Sequence, residues 1–180
     1  MFRVADAHTK GPIGDMIRVY HATGCRTHEL LNARVCDFQP RAGTLVLGKH
    51  KRTHTLREPV PRVIPLNAGA CGIIRRRCEW RPNDGCIFVN RNGDPYSRSL
   101  IDHRFATIRE QAGVRPHLTI YSFRHVWISD MLAAGVDALL VARMAGTSVA
   151  MIERVYGHFR TSSTRDALAR LDSMRRGSAP

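Results

Sequence analysis

Five short groups of residues in this chain carry side chains able to act on a phosphodiester. Gly24-Cys25-Arg26-Thr27-His28-Glu29-Leu30 sets an arginine three residues before a glutamate, and Gly48-Lys49 ends an apolar run. Tyr121-Ser122-Phe123-Arg124-His125, Gly146-Thr147-Ser148 and Tyr156-Gly157-His158 follow in that order. Breaking a phosphodiester without a metal needs a nucleophile in line with phosphorus and fixed positive charge for the non-bridging oxygens. Arginine suits the second task, since it stays protonated and offers paired planar donors. The departing sugar oxygen needs a proton from a nearby acid, and a phenol near phosphate and cations can attack. Arg26 and Arg124 are the candidates for phosphate, Tyr156 for the nucleophile and Lys49 for the acid. Glu29, at an i, i+3 helical spacing from Arg26, can brace it.

Each group has a plainer reading. Arg26 fits an exposed helix arginine, and Lys49, with Lys51 and Arg52 close by, fits a basic loop on backbone phosphates. Arg124 fits a buried ion pair. Thr147 or Ser148 fits a helix N-cap, and Tyr156 fits a core or surface tyrosine.

Composition favours the first set of readings. The 180 residues hold 28 Lys+Arg against 15 Asp+Glu, a net charge of +13. Such an excess suits a polyanionic partner, nucleic acid first and an acidic membrane surface second. No apolar run approaches the ~20 residues of a membrane span, and the first residues lack the apolar core of a secretion signal. The five cysteines are irregularly spaced without a CxxC pair, which argues against zinc and for buried, reduced thiols in a cytoplasmic protein.

The groups need elements to bring them together. Residues 12–23 carry Ile13, Met16, Ile17 and Tyr20 at helical spacing, and residues 26–33 read as a second short helix. Runs 34–38, 44–48 and 62–66 predict an antiparallel meander, its first two strands joined by a QPRAG turn. Residues 68–80 and 97–112 predict helices, the latter with Leu100, Ile101, Phe105 and Ile108 on one face. Between 121 and 158, Val126, Met131, Leu132, Val136, Leu139, Leu140 and Met144 predict short amphipathic helices joined at Gly135 and Gly146. Residues 163–174 predict a last helix with an apolar stripe of Ala167, Leu168, Leu171 and Met174. Residues 1–11 and 176–180 read as loose. The expected fold class is α+β, mostly helical, with one small three-stranded antiparallel sheet and no internal domain boundary.

GCRTHEL at 24–30, the Arg124-His125 pair and the Tyr156-Gly157-His158 ending, in this order, resemble the catalytic domain of the tyrosine recombinase (phage integrase) family. The resemblance spans roughly residues 12–175. It implies that Tyr156 attacks a scissile phosphate to form a 3′-phosphotyrosyl link, that Arg26 and Arg124 hold the phosphate, and that Lys49, on the hairpin after the second strand, protonates the 5′ oxygen. Two positions depart from the family pattern. Tyr121 stands where a histidine is usual, and Thr147 where a histidine or tryptophan is usual. Both can still hydrogen-bond a phosphate oxygen. His125 and His158 are expected as supporting groups, and Lys51 and Arg52 as DNA contacts.

The resemblance implies double-stranded DNA as partner, a homo-tetramer on DNA with a monomer possible when free, a bacterial or phage-encoded cytoplasmic protein, and no metal or nucleotide cofactor. It also implies a helical core-binding domain ahead of the catalytic one, and residues 1–180 read as the catalytic domain alone. Two rival readings stay open: a DNA-binding relative that no longer cuts, and strand relaxation of the type IB topoisomerase kind.

Overall fold

A computed structural model describes residues 1–7, 12–48, 61–157 and 164–177. The fold is built around helix α2 (Ile13–Thr23), which buries Ile13, Met16, Ile17, Val19, Tyr20 and Thr23 on a broad face and carries Asp15, Arg18 and His21 on the opposite side. So wide an apolar face needs cover from several elements. α1 (Phe2–Ala7), α4 (Ala68–Cys78) and α6 (Ser122–Ala133) do most of the covering. α2 ends at Gly24, whose φ of 58° gives a left-handed cap with its N–H bonded to the Tyr20 carbonyl. The chain then turns into α3 (Thr27–Leu31), and the Tyr20 hydroxyl ties the two helices by donating to the Thr27 carbonyl at 2.6 Å.

The N-terminal residues are not loose as far as residue 7. They form α1 because Ala5 is fully buried, Phe2 stacks on Phe123 with centroids 6.4 Å apart, and Asp6 pairs with Arg18 at 2.5 Å.

The sheet has the order β1-β2-β3, antiparallel throughout, from β1 (Phe38–Gln39), β2 (Thr44–Leu47) and β3 (Arg62–Pro65). Its register sets Leu45 against Ile64, both fully buried. The expected first strand shortens to two residues. Residues Val35–Asp37 form a 3-10 turn instead, because the Asp37 carboxylate accepts from the Arg34 N–H and closes the backbone locally. β3 inverts the simplest reading of its sequence: Val63 faces outward and Arg62 inward, beside Ile64.

α5 (Arg98–Gln111) starts on a Ser97 cap and buries Ile101, Phe105 and Ile108, as its periodicity predicts. These elements share one apolar cluster. α6, α7 (Ala138–Ala145) and α8 (Val149–Tyr156) build a second, from Ile128, Leu132, Val141, Ala142, Ala145, Ile152 and Tyr156. Here the expected core needs correction. Val126, Leu139 and Leu140 are 45–49% exposed, and small residues let the short helices approach instead. The two clusters meet where the Trp127 ring covers Gly24 and its indole N–H donates to the Ala22 carbonyl at 3.2 Å. α9 (Thr164–Gly177) follows, with Leu168, Leu171 and Met174 exposed.

Cys25 alone among the five thiols is buried, and burial pushes it up to about 12; Cys36 is exposed and the other three are partly so. Among the described residues no helix is long and apolar enough to cross a membrane.

A methyl group at residue 24 would meet the Trp127 ring at 2.5 Å on a backbone that disfavours side chains. Gly24→Ala is therefore expected to cost about 2–4 kcal/mol in urea unfolding. Adding Trp127→Ala should recover part of that loss; strict additivity of the two would show that the close approach is not what Gly24 serves.

Candidate active site

Arg26 is the N-cap of α3, not a residue inside it. Glu29, one turn on and 2% exposed, accepts from the Arg26 backbone N–H at 2.8 Å and from its guanidinium at 2.9 Å. A carboxylate this deep needs more than one partner. The second is Arg62, whose Nε donates to the same oxygen at 3.2 Å. Burial alone would raise the Glu29 carboxyl, but Arg62 and the bonds from Arg26 outweigh it and hold it below the usual range.

The far sides of these guanidiniums meet the C-terminal end of α7. Arg62 donates to the carbonyls of Arg143 at 3.0 Å and Met144 at 2.5 Å. Arg124, on α6 and 5% exposed, donates to the Ala145 carbonyl at 2.6 Å and to the Gly24 carbonyl at 2.8 Å. Arg26 donates to the Gly146 carbonyl. Three guanidiniums thus occupy four consecutive carbonyls of a helix end. Gly146 has φ of 69°, and a Cβ there would lie 2.8 Å from Arg62 Nε and 3.0 Å from Arg26 Nη1, so only glycine lets the arginines this close. Arg26 and Arg124, distant in sequence, are thereby brought to adjacent backbone carbonyls.

The nucleophile candidate meets α6 at His125, the residue after Arg124. Tyr156, the last residue of α8, is 6% exposed, and its hydroxyl sits 2.5 Å from His125 Nδ1. Burial first, then Tyr121, push the Tyr156 phenol up, with Arg124 opposing. Loss of surrounding water, then the charge of Arg124, hold His125 below its usual value. The pair is therefore a phenol and a neutral imidazole near pH 7, and in the tautomer with its hydrogen on Nε2 the imidazole accepts the phenol O–H at Nδ1. Tyr121 stands one turn before His125, its ring edge-on to the imidazole at 5.1 Å and 6.0 Å from the Arg124 guanidinium carbon.

Arg26, Glu29, Arg124, Tyr121, His125 and Tyr156 are all drawn into this constellation. Thr147 adjoins it, its N–H bonded to the Ala142 carbonyl, while the α8 N-cap is Ser148, whose hydroxyl accepts from Met151 N–H at 3.2 Å. Lys49, Lys51, Arg52 and His158 lie outside the described residues. Sequence reasoning passed over Arg62, since an arginine opening a strand reads as solvent-facing. Its only signal was the two-residue alternation with Ile64. His125 was expected in support; it touches the Tyr156 hydroxyl directly. Among the described residues no cluster of His, Cys, Asp and Glu has the make-up of a metal site.

The family model described as "Phage integrase family" matches residues 6–163. Tyrosine recombinase XerC of Actinobacillus pleuropneumoniae serotype 7 (strain AP76) is 26% identical over 162 residues, covering 86% of this chain and 50% of the relative. The chain spans about half the length of the curated relatives it matches. In fold it is similar to XerH site-specific recombinase bound to palindromic difH substrate, with a TM-score of 0.70 and 19% identity over 93% of this chain and 49% of that one. It is also similar to the catalytic domain of bacteriophage HP1 integrase, with a TM-score of 0.67 and 18% identity over 93% of this chain and 87% of that one.

Glu29 predicts an acid limit to stability. A carboxyl held below its ordinary value contributes stability in full above that value, about 4.3, and loses it as pH falls through the lower folded value. The melting temperature of the wild type should fall across that acid window. Glu29→Gln should lower stability at neutral pH by about 3 kcal/mol, because two guanidiniums lose their anion, and should flatten the acid limb. An unchanged limb in the variant would assign it to other carboxylates.

Proposed function

The chain belongs to the phage integrase family, and from that premise we propose that it is the strand-cutting part of a site-specific DNA recombinase. Tyr156 attacks a backbone phosphorus and becomes joined to the 3′ side of the break. Arg26 and Arg124 hold the non-bridging oxygens, which gain charge during attack. Thr147, beside Gly146, is within the same neighbourhood and offers a hydroxyl to the phosphate. Lys49 gives its proton to the 5′ oxygen as that oxygen leaves. A 5′ hydroxyl from a partner strand then reverses the attack, within a tetramer that holds two DNA sites. The net charge of +13 favours the duplex on the cationic side, with Lys51 and Arg52 as backbone contacts and His158 in support beside the nucleophile. The working location is the bacterial cytoplasm, on the nucleoid.

One observation carries this reading: two guanidiniums far apart in sequence are held on neighbouring carbonyls, with the Tyr156 hydroxyl hydrogen-bonded to His125, the residue next to the second. An arginine has five N–H donors in a fixed fork. Arg26 and Arg124 each use only part of that set on protein oxygens, which leaves donors for phosphate. Tyr121, with its ring 6.0 Å from the Arg124 guanidinium carbon, offers the phosphate a further hydroxyl.

A duplex carrying a nick close to the cut lets the short 5′ fragment diffuse away and traps the joined protein. The wild type should form this trapped species, seen as a shifted band under denaturing conditions. Tyr156→Phe should form none while keeping duplex affinity within a few-fold, because a phenyl ring fills the same space. Adduct formation by Tyr156→Phe would sink the assignment. Salt-dependent binding by the wild type with no trapped product would mean that the pocket holds phosphate without cutting.

A further inference from the structure

Tyr156 cannot attack as a phenol without losing its proton, and the reading above names no group to receive it. Arg124 has no lone pair to accept with, and neither guanidinium deprotonates in a protein. Tyr121 is itself a phenol. Among the described residues, the hydroxyl is given one nitrogen acceptor in hydrogen-bond range, His125 Nδ1 at 2.5 Å. The imidazole is placed for this by its own helix: Tyr121, one turn earlier, stands edge-on at 5.1 Å and 78°, and the Tyr156 ring lies tilted at 5.7 Å on the other side. The titratable and charged groups facing the ring are Tyr121 and Arg124 from α6 and Tyr156 from α8.

We propose that His125 is the proton acceptor that activates Tyr156, a catalytic residue rather than a supporting one. The inference rests on the covalent reading above. As Tyr156 Oη bonds to phosphorus, its proton moves to His125 Nδ1, so the ring, already protonated at Nε2, becomes imidazolium. The bond from phosphorus to the 5′ oxygen breaks, and that oxygen takes a proton from Lys49 to leave as a hydroxyl. On reversal the incoming 5′ hydroxyl returns a proton to Lys49, and His125 returns its proton to the departing Tyr156 oxygen. Atoms and charge balance over the cycle, and no co-reactant is consumed. The cation formed on His125 sits beside Arg124, which opposes it. That repulsion helps return the proton in the second half of the cycle. His125 retains solvent exposure, so a small base from solution can reach its place.

The test is single-turnover trapping on the nicked duplex between about pH 5 and pH 9, a range that brackets the ordinary histidine value of about 6.5. Wild-type cleavage should rise as the imidazole loses its proton, with a midpoint below that ordinary value, and then level off. His125→Ala should cleave ~100-fold more slowly with duplex affinity kept. Added imidazole should restore the rate in proportion to its unprotonated fraction. His125→Gln, which keeps a hydrogen-bonding group but cannot take up a proton, should stay slow and gain nothing from imidazole; it also serves if the alanine variant folds poorly. Either variant cleaving within a few-fold of the wild type, or an alanine defect that imidazole leaves untouched, overturns the proposal. A wild type that traps no DNA at any pH fails the covalent reading itself, a result distinct from a wild type that traps DNA without depending on His125.

Discussion

The C-terminal end of α7 is the constraint on which the rest of the structure depends. A helix ends with carbonyls that have no partner in the helix and with the negative end of its dipole. Here the carbonyls of Arg143, Met144, Ala145 and Gly146 are met by Arg62, Arg124 and Arg26. Folding by itself therefore brings three guanidiniums to one place. Their mutual repulsion is offset from two sides, by the helix end and by the Glu29 carboxylate. Guanidiniums fixed in this way need little reorganisation to meet an anion.

The same arrangement joins two apolar clusters. Arg26, Glu29 and Arg62 belong to the α2–α3–sheet half, whereas Tyr156 and the α7 carbonyls belong to the α6–α8 half. Arg124 spans them, with one carbonyl partner at Gly24 and another at Ala145. Trp127 seals the seam over Gly24. Helices α7 and α8 are eight residues each, too short to be stable alone. The position of the Tyr156 hydroxyl is accordingly a tertiary property, set by Ile152 and Tyr156 packing on α6 and α7 rather than by local helix strength.

Within the site, burial divides the roles. Glu29 is deep but doubly paired, so it stays charged and structural. Tyr156 is buried beside a neutral imidazole, and burial pushes its phenol up, so it stays protonated. Two residue types with similar burial thus end in opposite protonation states, decided by what faces them.

Much was legible without coordinates, for definable reasons. Arg26 with Glu29, Arg124, and Tyr156 are read from residue type and order, and helix α5 from a periodicity that burial then follows. The three-stranded meander is read from turn chemistry, although its first strand loses residues to a 3-10 turn closed by Asp37. Residue types and their order alone determined the excess of cations that suits a polyanion and the two arginines and tyrosine set in sequence. Tertiary structure alone decided that Arg62 faces inward, that α1 is ordered by Phe123 and Arg18, and that His125 meets the Tyr156 hydroxyl. Those facts depend on which residues pack together across long stretches of chain, and hydrogen bonds to backbone carbonyls leave no trace in side-chain pattern.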